Sequence, residues 1–334
     1  MRLGTVGLIV NPVAGLGAVR NLELAARVIE MLGADQVFCG PGSLGGVAIP
    51  QAQQVAAPDL QGRAMSQWLA RELASKSLDA LVVVGGDGTM ADVAFALLEA
   101  GSHCPILGIG AGSTNVGNLI TCRAGAVEAL GSAKFSTQPV DALVASCNDR
   151  ELALAFNDVV IGTTIVGTLA GQVCDLDAVA FLRGERKLGQ PHAVGSHASL
   201  VAKATQGRVI EVARGMAVGT VIAGFAHHDH FYGKAIAGAV CLSDLAGWPA
   251  GCLVCTQPLV RTQLAAGDLA GVEPIHSSYV SLGAGETIEA TGIGSPAVLC
   301  ADGNPLKVLE MDDRACIRLH PNAVHVLQMN RERV

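Results

Sequence analysis

Gly85-Gly86-Asp87-Gly88-Thr89 follows the apolar run Leu81-Val82-Val83-Val84 and precedes a segment rich in Ala and Leu. A buried strand running through glycines into a helix start is suited to holding phosphate. Glycine lets an anion reach the backbone without meeting a Cβ, and the first amides of a helix attract negative charge. Thr89 with Asp92 three residues later has the spacing of a helix cap. Asp87 is out of place in a turn that only holds phosphate, because like charges repel. A carboxylate there suits holding Mg²⁺ or taking a proton from an attacking hydroxyl. The plain alternative is an Asp-Gly turn without chemistry.

Two further turns have the same form. Pro105-Ile106-Leu107-Gly108-Ile109 is an apolar run that opens into Gly110-Ala111-Gly112-Ser113-Thr114-Asn115, where hydroxyls and an amide follow the glycines. Asn11-Pro12-Val13-Ala14-Gly15 follows the first apolar run, Thr5 to Val10. Each alone is a small-residue turn. After three parallel strands they emerge at one sheet edge, where open α/β sheets bind ligands.

The elements that must position these turns follow from periodicity. Thr5–Val10, Gln36–Cys39, Leu81–Val84 and Pro105–Ile109 read as strands, and Asn21–Leu32, Arg63–Ser75 and Met90–Ala100 as helices. Gly40–Gly62 lacks a period and reads as a long loop. Strands alternating with helices predict an α/β domain with a parallel sheet over residues 1–145. Beyond it come short strand candidates at Leu152–Val166, Val209–Phe225, Lys234–Leu242, Cys252–Thr256, Ser278–Leu282, Thr287–Ala290, Ala297–Cys300 and Ala323–Gln328. They predict a second, mainly antiparallel β domain over 146–300, with 301–334 as a C-terminal segment.

Composition limits the partners. The net charge is −7 with no long basic run, which argues against nucleic acid and anionic membrane. The apolar start of the chain ends at Asn11-Pro12 without a small-residue cleavage site, and Met216–Ala226 is too short to span a bilayer. A cytoplasmic protein is expected. Its ten cysteines sit in apolar surroundings and read as reduced core thiols.

GGDGT after a buried strand, NPVAG after the first strand and a Gly-Ser-Thr-Asn turn one βα unit later resemble the ATP–NAD kinase superfamily. That group includes the diacylglycerol kinases and the acetoin-catabolism protein X family. The resemblance covers residues 5–160 and extends to Ala301-Asp302-Gly303-Asn304, similar to a terminal Asp-Gly motif. Phe156-Asn157-Asp158 looks like the family's Asn-Glu pair with a shorter acid. The resemblance implies a nucleotide domain, a β-rich acceptor domain, a cleft between them, a C-terminal segment returning to the first domain, and ATP with Mg²⁺ as co-substrates.

It further implies Asp87 as the catalytic residue. Asn11, Gly15, Gly85, Gly86, Gly88, Thr89, Gly112, Ser113, Thr114 and Asn115 would hold the nucleotide, and Asn157, Asp158 and Asp302 the acceptor. No residue set is assigned as a resident metal site. The Thr-Pro-Thr-Gly-Ser-Thr-Ala-Tyr stretch of NAD kinases is missing, and Cys255-Thr256-Gln257-Pro258 does not match it. This, with the wording GIGAGSTNVGN from Gly108 to Asn118, is similar to the acetoin-associated branch.

The expected function is phosphoryl transfer from ATP to a hydroxyl of a small-molecule substrate, either NAD or a smaller hydroxylated metabolite, by a homo-oligomer. The rival is a nucleotide-binding regulator that keeps the fold without catalysis. Two other clusters stay open. His227-His228-Asp229-His230 with Cys252 and Cys255 is either a zinc site or an exposed turn, although a strand would point the two thiols to opposite faces. Arg183-Gly184-Glu185-Arg186-Lys187 is either a phosphate clamp or a solvated turn.

Overall fold

The computed structural model describes residues 3–15, 17–112, 117–169, 172–225, 243, 246–258, 274 and 276–330. The chain divides into two compact units, one of residues 1–142 with 321–334 and one of 143–320.

The first unit begins with β1 (Thr5–Val10), α1 (Ala18–Leu32), β2 (Gln36–Cys39), β3 (Gln53–Gln54) and α2 (Gly62–Ala74). It continues with β4 (Ala80–Gly85), α3 (Asp87–Glu99), β5 (Ile106–Gly110) and β6 (Ile120–Arg123). These strands pair in parallel in the order β3-β2-β1-β4-β5, with β6 also beside β5. β4 is buried along its whole length, as a strand covered on both faces must be. That burial explains its unbroken Ala-Leu-Val-Val-Val sequence. Val6, Leu8, Val10, Val82, Val84, Leu107 and Ile109 form one core with Ala25, Val28 and Ile29 of α1. α2 and α3 pack against each other and onto the sheet.

A long strand, β7 (Phe135–Cys147), leads into the second unit. There β8 (Arg150–Ala155), β9 (Asp158–Gly162), β10 (Thr164–Leu169), β11 (Gln172–Asp177) and the short α4 (Ala178–Leu182) precede β12 (Leu200–Thr205) and β13 (Arg208–Arg214). β14 (Thr220–Phe225), β15 (Ala250–Cys255), β16 (Ser277–Leu282), β17 (Thr287–Thr291), β18 (Val298–Ala301) and β19 (Asn304–Val308) follow. One antiparallel sheet runs β16-β15-β14-β9-β18-β19. β10 and β11 form a separate hairpin, and β13-β12-β17 a further antiparallel set. Finally β20 (Ala315–Met329) pairs with β17 through Ala315–Arg318 and runs parallel to β5 at Val326.

Several expectations need correction. α3 begins at Asp87 rather than Met90, so Asp87, Gly88 and Thr89 lie in its first turn. Gly40–Gly62 is not a structureless loop. It carries β3, paired with β2, and it buries Ile49 in the core. The segment from 301 onward stays with the second unit as far as His320, because β18 and β19 form a hairpin and β18 pairs with β9. Lys234–Leu242 lies outside the described residues.

Candidate active site

The three turns meet at the carboxyl edge of the parallel sheet because β1, β4 and β5 are adjacent and point the same way. The ladder carries on past the strand ends. Asn11 N–H donates to Val84 O at 2.9 Å, and Ala111 N–H donates to Gly85 O at 2.7 Å. Both flanking turns are thereby fixed to the end of β4.

Side chains then lock the turns together. Asn11 Nδ2 donates to Thr89 Oγ1 at 2.8 Å, and Asn11 Oδ1 accepts from Val13 N–H at 3.0 Å. Asp87 Oδ1 accepts from Gly117 N–H at 2.9 Å, which ties α3 to the loop after β5. Gly86 has φ −100° and ψ −178°, a backbone that any residue can adopt. Its lack of a side chain answers a different need: a Cβ there would lie 3.2 Å from Gly112 Cα. Gly85 closes β4 with Thr89 folded over it, and Gly15 is exposed in the first turn. Gly88 is half-buried beside Asp87. Ser113, Thr114 and Asn115 lie outside the described residues.

Thr89 does not cap α3 as its spacing suggested. The N-cap is Gly86, which has no side chain to cap with, and Thr89 is buried inside the first turn. Asp92 instead pairs with Arg63 of α2 at 2.7 Å. Burial pushes its carboxyl up to about 6, with the Arg63 charge and hydrogen bond pulling it back down.

One residue of this assembly escaped the sequence reading. Asn21 is wholly buried in α1, and its Nδ2 donates to Asn11 O at 2.9 Å and Ala14 O at 3.2 Å. The only signal was a polar residue at the start of an apolar helix face.

In the second unit, Asn157, Asp158 and Asp302 come together although 144 residues separate the last two. Asp302 and Gly303 have φ 46° and 74°, the positive values of a tight two-residue hairpin turn. From that turn the Asp302 carboxylate accepts the N–H groups of Phe156, Asn157 and Asp158 at 2.8, 2.8 and 3.1 Å. Its carboxylate is thus engaged by protein amides, which ties the backbone of Phe156, Asn157 and Asp158 to this turn. Burial, then the nearby Asp158 charge, push Asp302 up to about 7, against the three amides that favour its ionised form. Asn157 Oδ1 is buried and has no hydrogen-bond partner among the described residues.

Among the described residues the other clusters show no ligand set. His227–His230 lies outside the described residues. No group of three or more His, Cys, Asp or Glu suited to a metal occurs among the described residues. Cys252 and Cys255 are both buried on β15, and only Cys252 faces the main core of this unit. Burial pushes the Cys252 thiol up to about 12. Arg183–Lys187 is an exposed turn, with Lys187 near Glu185 and Arg186 over the Phe181 ring. No described helix is long and apolar enough to cross a membrane.

Comparison with known proteins bears on this geometry. Residues 5–121, which contain all three turns, match the family described as the diacylglycerol kinase catalytic domain. The whole chain shares its fold with a diacylglycerol kinase of Bacillus anthracis, at TM-score 0.50 and 16% identity over 100% of both chains. Over residues 5–121 the chain is thus similar to the diacylglycerol kinase catalytic domain, and over its whole length it has the fold of that Bacillus anthracis protein. A protein of Archaeoglobus fulgidus, described as uncharacterized, is 28% identical over 98% of this chain and 99% of its own length. The matched residues hold the parallel sheet with its glycine turns.

Proposed function

We propose that this chain is a phosphotransferase that moves the γ-phosphoryl group of ATP to a hydroxyl of a small molecule. The observation that carries this is the locked meeting of three turns at one sheet edge. Asn11 bonds Thr89, Asp87 bonds Gly117, and Gly86 lies so close to the Gly112 backbone that a Cβ would stand 3.2 Å from Gly112 Cα. A glycine cradle at a helix start is the chemistry of a polyphosphate site.

The residues present fit ATP and Mg²⁺. The backbone is approachable at Gly86, and one carboxylate, Asp87, stands at the turn. Mg²⁺ bound with nucleotide phosphates needs only one or two carboxylates from protein. Bound there, the ion would neutralise charge on the phosphates. The chain's own contribution is positioning. Gly85, Gly86 and Gly88 give the phosphates access to backbone amides, and Thr89 and Asn11 hold the turns in register. Gly15 and Gly112 complete the walls, and Asp87 orients the acceptor hydroxyl or takes its proton. Asn157 and Asp158 bind the acceptor, with Asp302 fixing their backbone. Most of the acceleration from such a site comes from positioning and electrostatics.

For the acceptor we infer a small hydroxylated metabolite in preference to NAD. Support comes from the missing Thr/Ser/Tyr-rich stretch and from a chain with only two tyrosines, Tyr232 and Tyr279, to stack or bond a dinucleotide. Sites built to bond hydroxyls discriminate strongly when such anchors are absent. The Gly108–Asn118 wording supports an acetoin-linked acceptor. The diacylglycerol kinase match favours a second reading, a lipid alcohol.

One panel tests these together. Mg-ATP is supplied with NAD, with hydroxy-ketones and polyols, and with diacylglycerol in micelles, and phosphorylated products are followed by mass spectrometry. A small phosphorylated metabolite is expected. Efficient NADP formation, at about 10⁴ per molar per second or above, restores the NAD kinase reading. Phosphatidic acid restores the lipid one, and no product with any acceptor favours the regulator.

A further inference from the structure

We propose that Asn21 is a positioning residue of the nucleotide site, holding the first turn in register with the glycine turn; this rests on the nucleotide reading above. Asn21 lies in the first turn of α1, wholly buried, on a face that otherwise buries Ala25, Val28 and Ile29. Its amide spends both hydrogens across the Asn11–Gly15 turn, on Asn11 O and Ala14 O.

Asn11 is consequently held at all four of its polar groups. Its N–H bonds Val84 O and its O accepts from Asn21, while its Oδ1 accepts from Val13 and its Nδ2 donates to Thr89 Oγ1. The Asn21 amide therefore fixes the peptide from which Asn11 reaches Thr89. The relay passes from α1 through the first turn into the first turn of α3.

A second observation separates this role from simple support of the helix. Asn21 Oδ1 is buried without a hydrogen-bond partner among the described residues. An unpartnered buried acceptor is costly, and an apolar residue would fill a helix face without that cost. What Asn21 supplies that such a residue cannot is its pair of donors, and both are aimed at the turn.

The test is Asn21→Asp, which keeps the shape and turns an acceptor toward two carbonyls. Asn21→Ser is the milder variant should the first not fold, and Glu23→Gln on the exposed side of α1 is the control. In ligand-free protein, amide hydrogen exchange is expected to quicken at 11–15 and also at 86–90. A residue that only supports its helix would change α1 and 11–15 and leave 86–90 as in wild type. By calorimetry, Mg-ATP affinity is expected to fall tenfold or more in both Asn21 variants and to hold in Glu23→Gln. If wild type binds Mg-ATP and both Asn21 variants bind it equally well with unchanged exchange at 86–90, the role is overturned alone. If wild type fails to bind Mg-ATP, the nucleotide reading falls and takes the role with it.

Discussion

Replacing Gly86 by alanine tests the glycine cradle at its narrowest point. The backbone there, φ −100° and ψ −178°, accepts any residue, so the substitution adds no conformational strain. The new methyl would stand 3.2 Å from Gly112 Cα and 3.8 Å from Gly112 N. Carbon atoms prefer a separation of about 3.5–4.0 Å, so the two turns must part by roughly 0.3 Å or more. Overfilling a packed site costs about 1–3 kcal/mol, and a single methyl with so small a shortfall belongs at the low end. Losing glycine's freedom in the unfolded chain returns about 0.4–1 kcal/mol. The net change in stability should therefore stay within about 1 kcal/mol, taking these two effects together. Phosphate approach is expected to suffer more, because parting the Gly86 and Gly112 turns shifts the backbone amides that would hold the anion. We expect Mg-ATP affinity to fall about 10- to 100-fold, equivalent to about 1.4–2.8 kcal/mol, and further in Gly86→Val. Thermal unfolding and calorimetry on the same preparation measure both quantities. A folded Gly86→Ala that binds Mg-ATP like wild type would refute the reasoning and place the phosphates elsewhere.

Asp87→Asn should fold normally, since an amide oxygen can still accept from Gly117 N–H. Its turnover should drop by about two to four powers of ten, and a wild-type rate would remove Asp87 from the chemistry. Lys203 Nζ lies 2.7 Å from Glu286 Oε2 and 2.8 Å from Ser281 O, with both residues buried. Lys203→Met should lower the unfolding free energy in denaturant titrations by about 3 kcal/mol or more, and adding Glu286→Leu should recover over half of the loss. A loss under about 1 kcal/mol for the single variant would contradict the buried pair. Asp302 and Asp92 are both raised above ordinary carboxyl values, to about 7 and about 6. Between the unfolded and folded values the native state holds more protons, so their contribution is full below about pH 4 and fades as pH rises to 7. Denaturation of wild type and Asp302→Asn from pH 4 to 8 should show the wild-type advantage shrinking over that window. A pH-independent difference would mean that the three amides offset burial, and an advantage that grows with pH that they outweigh it.

What the sequence made legible was local. β1 and β2 were readable to the residue, because apolar and β-branched runs end abruptly at Asn11-Pro12 and Gly40-Pro41. The start of α3 was misplaced because Gly-Asp-Gly has the composition of a turn, while here it supplies the N-cap and first two positions of a helix. β7 was missed since its first five residues, Phe135–Pro139, are polar or only partly buried, and the apolar run begins at Val140. The site was legible as three separate motifs. The bonds that join them were not, because they connect residues 78 and 30 positions apart, Asn11 with Thr89 and Asp87 with Gly117. Asp302 shows the same limit. Its Asp-Gly turn could be recognised, but its grip on the amides of 156–158 depends on β18 pairing with β9.

The most direct test of the nucleotide site is a footprint of Mg-ATP on the wild-type protein by amide hydrogen exchange. Protection is predicted in three separated stretches at once, 11–15, 85–90 and 110–112 with Gly117, while the exposed face of α1 stays unchanged. Protection absent from these stretches, or confined to the second unit, would contradict the account.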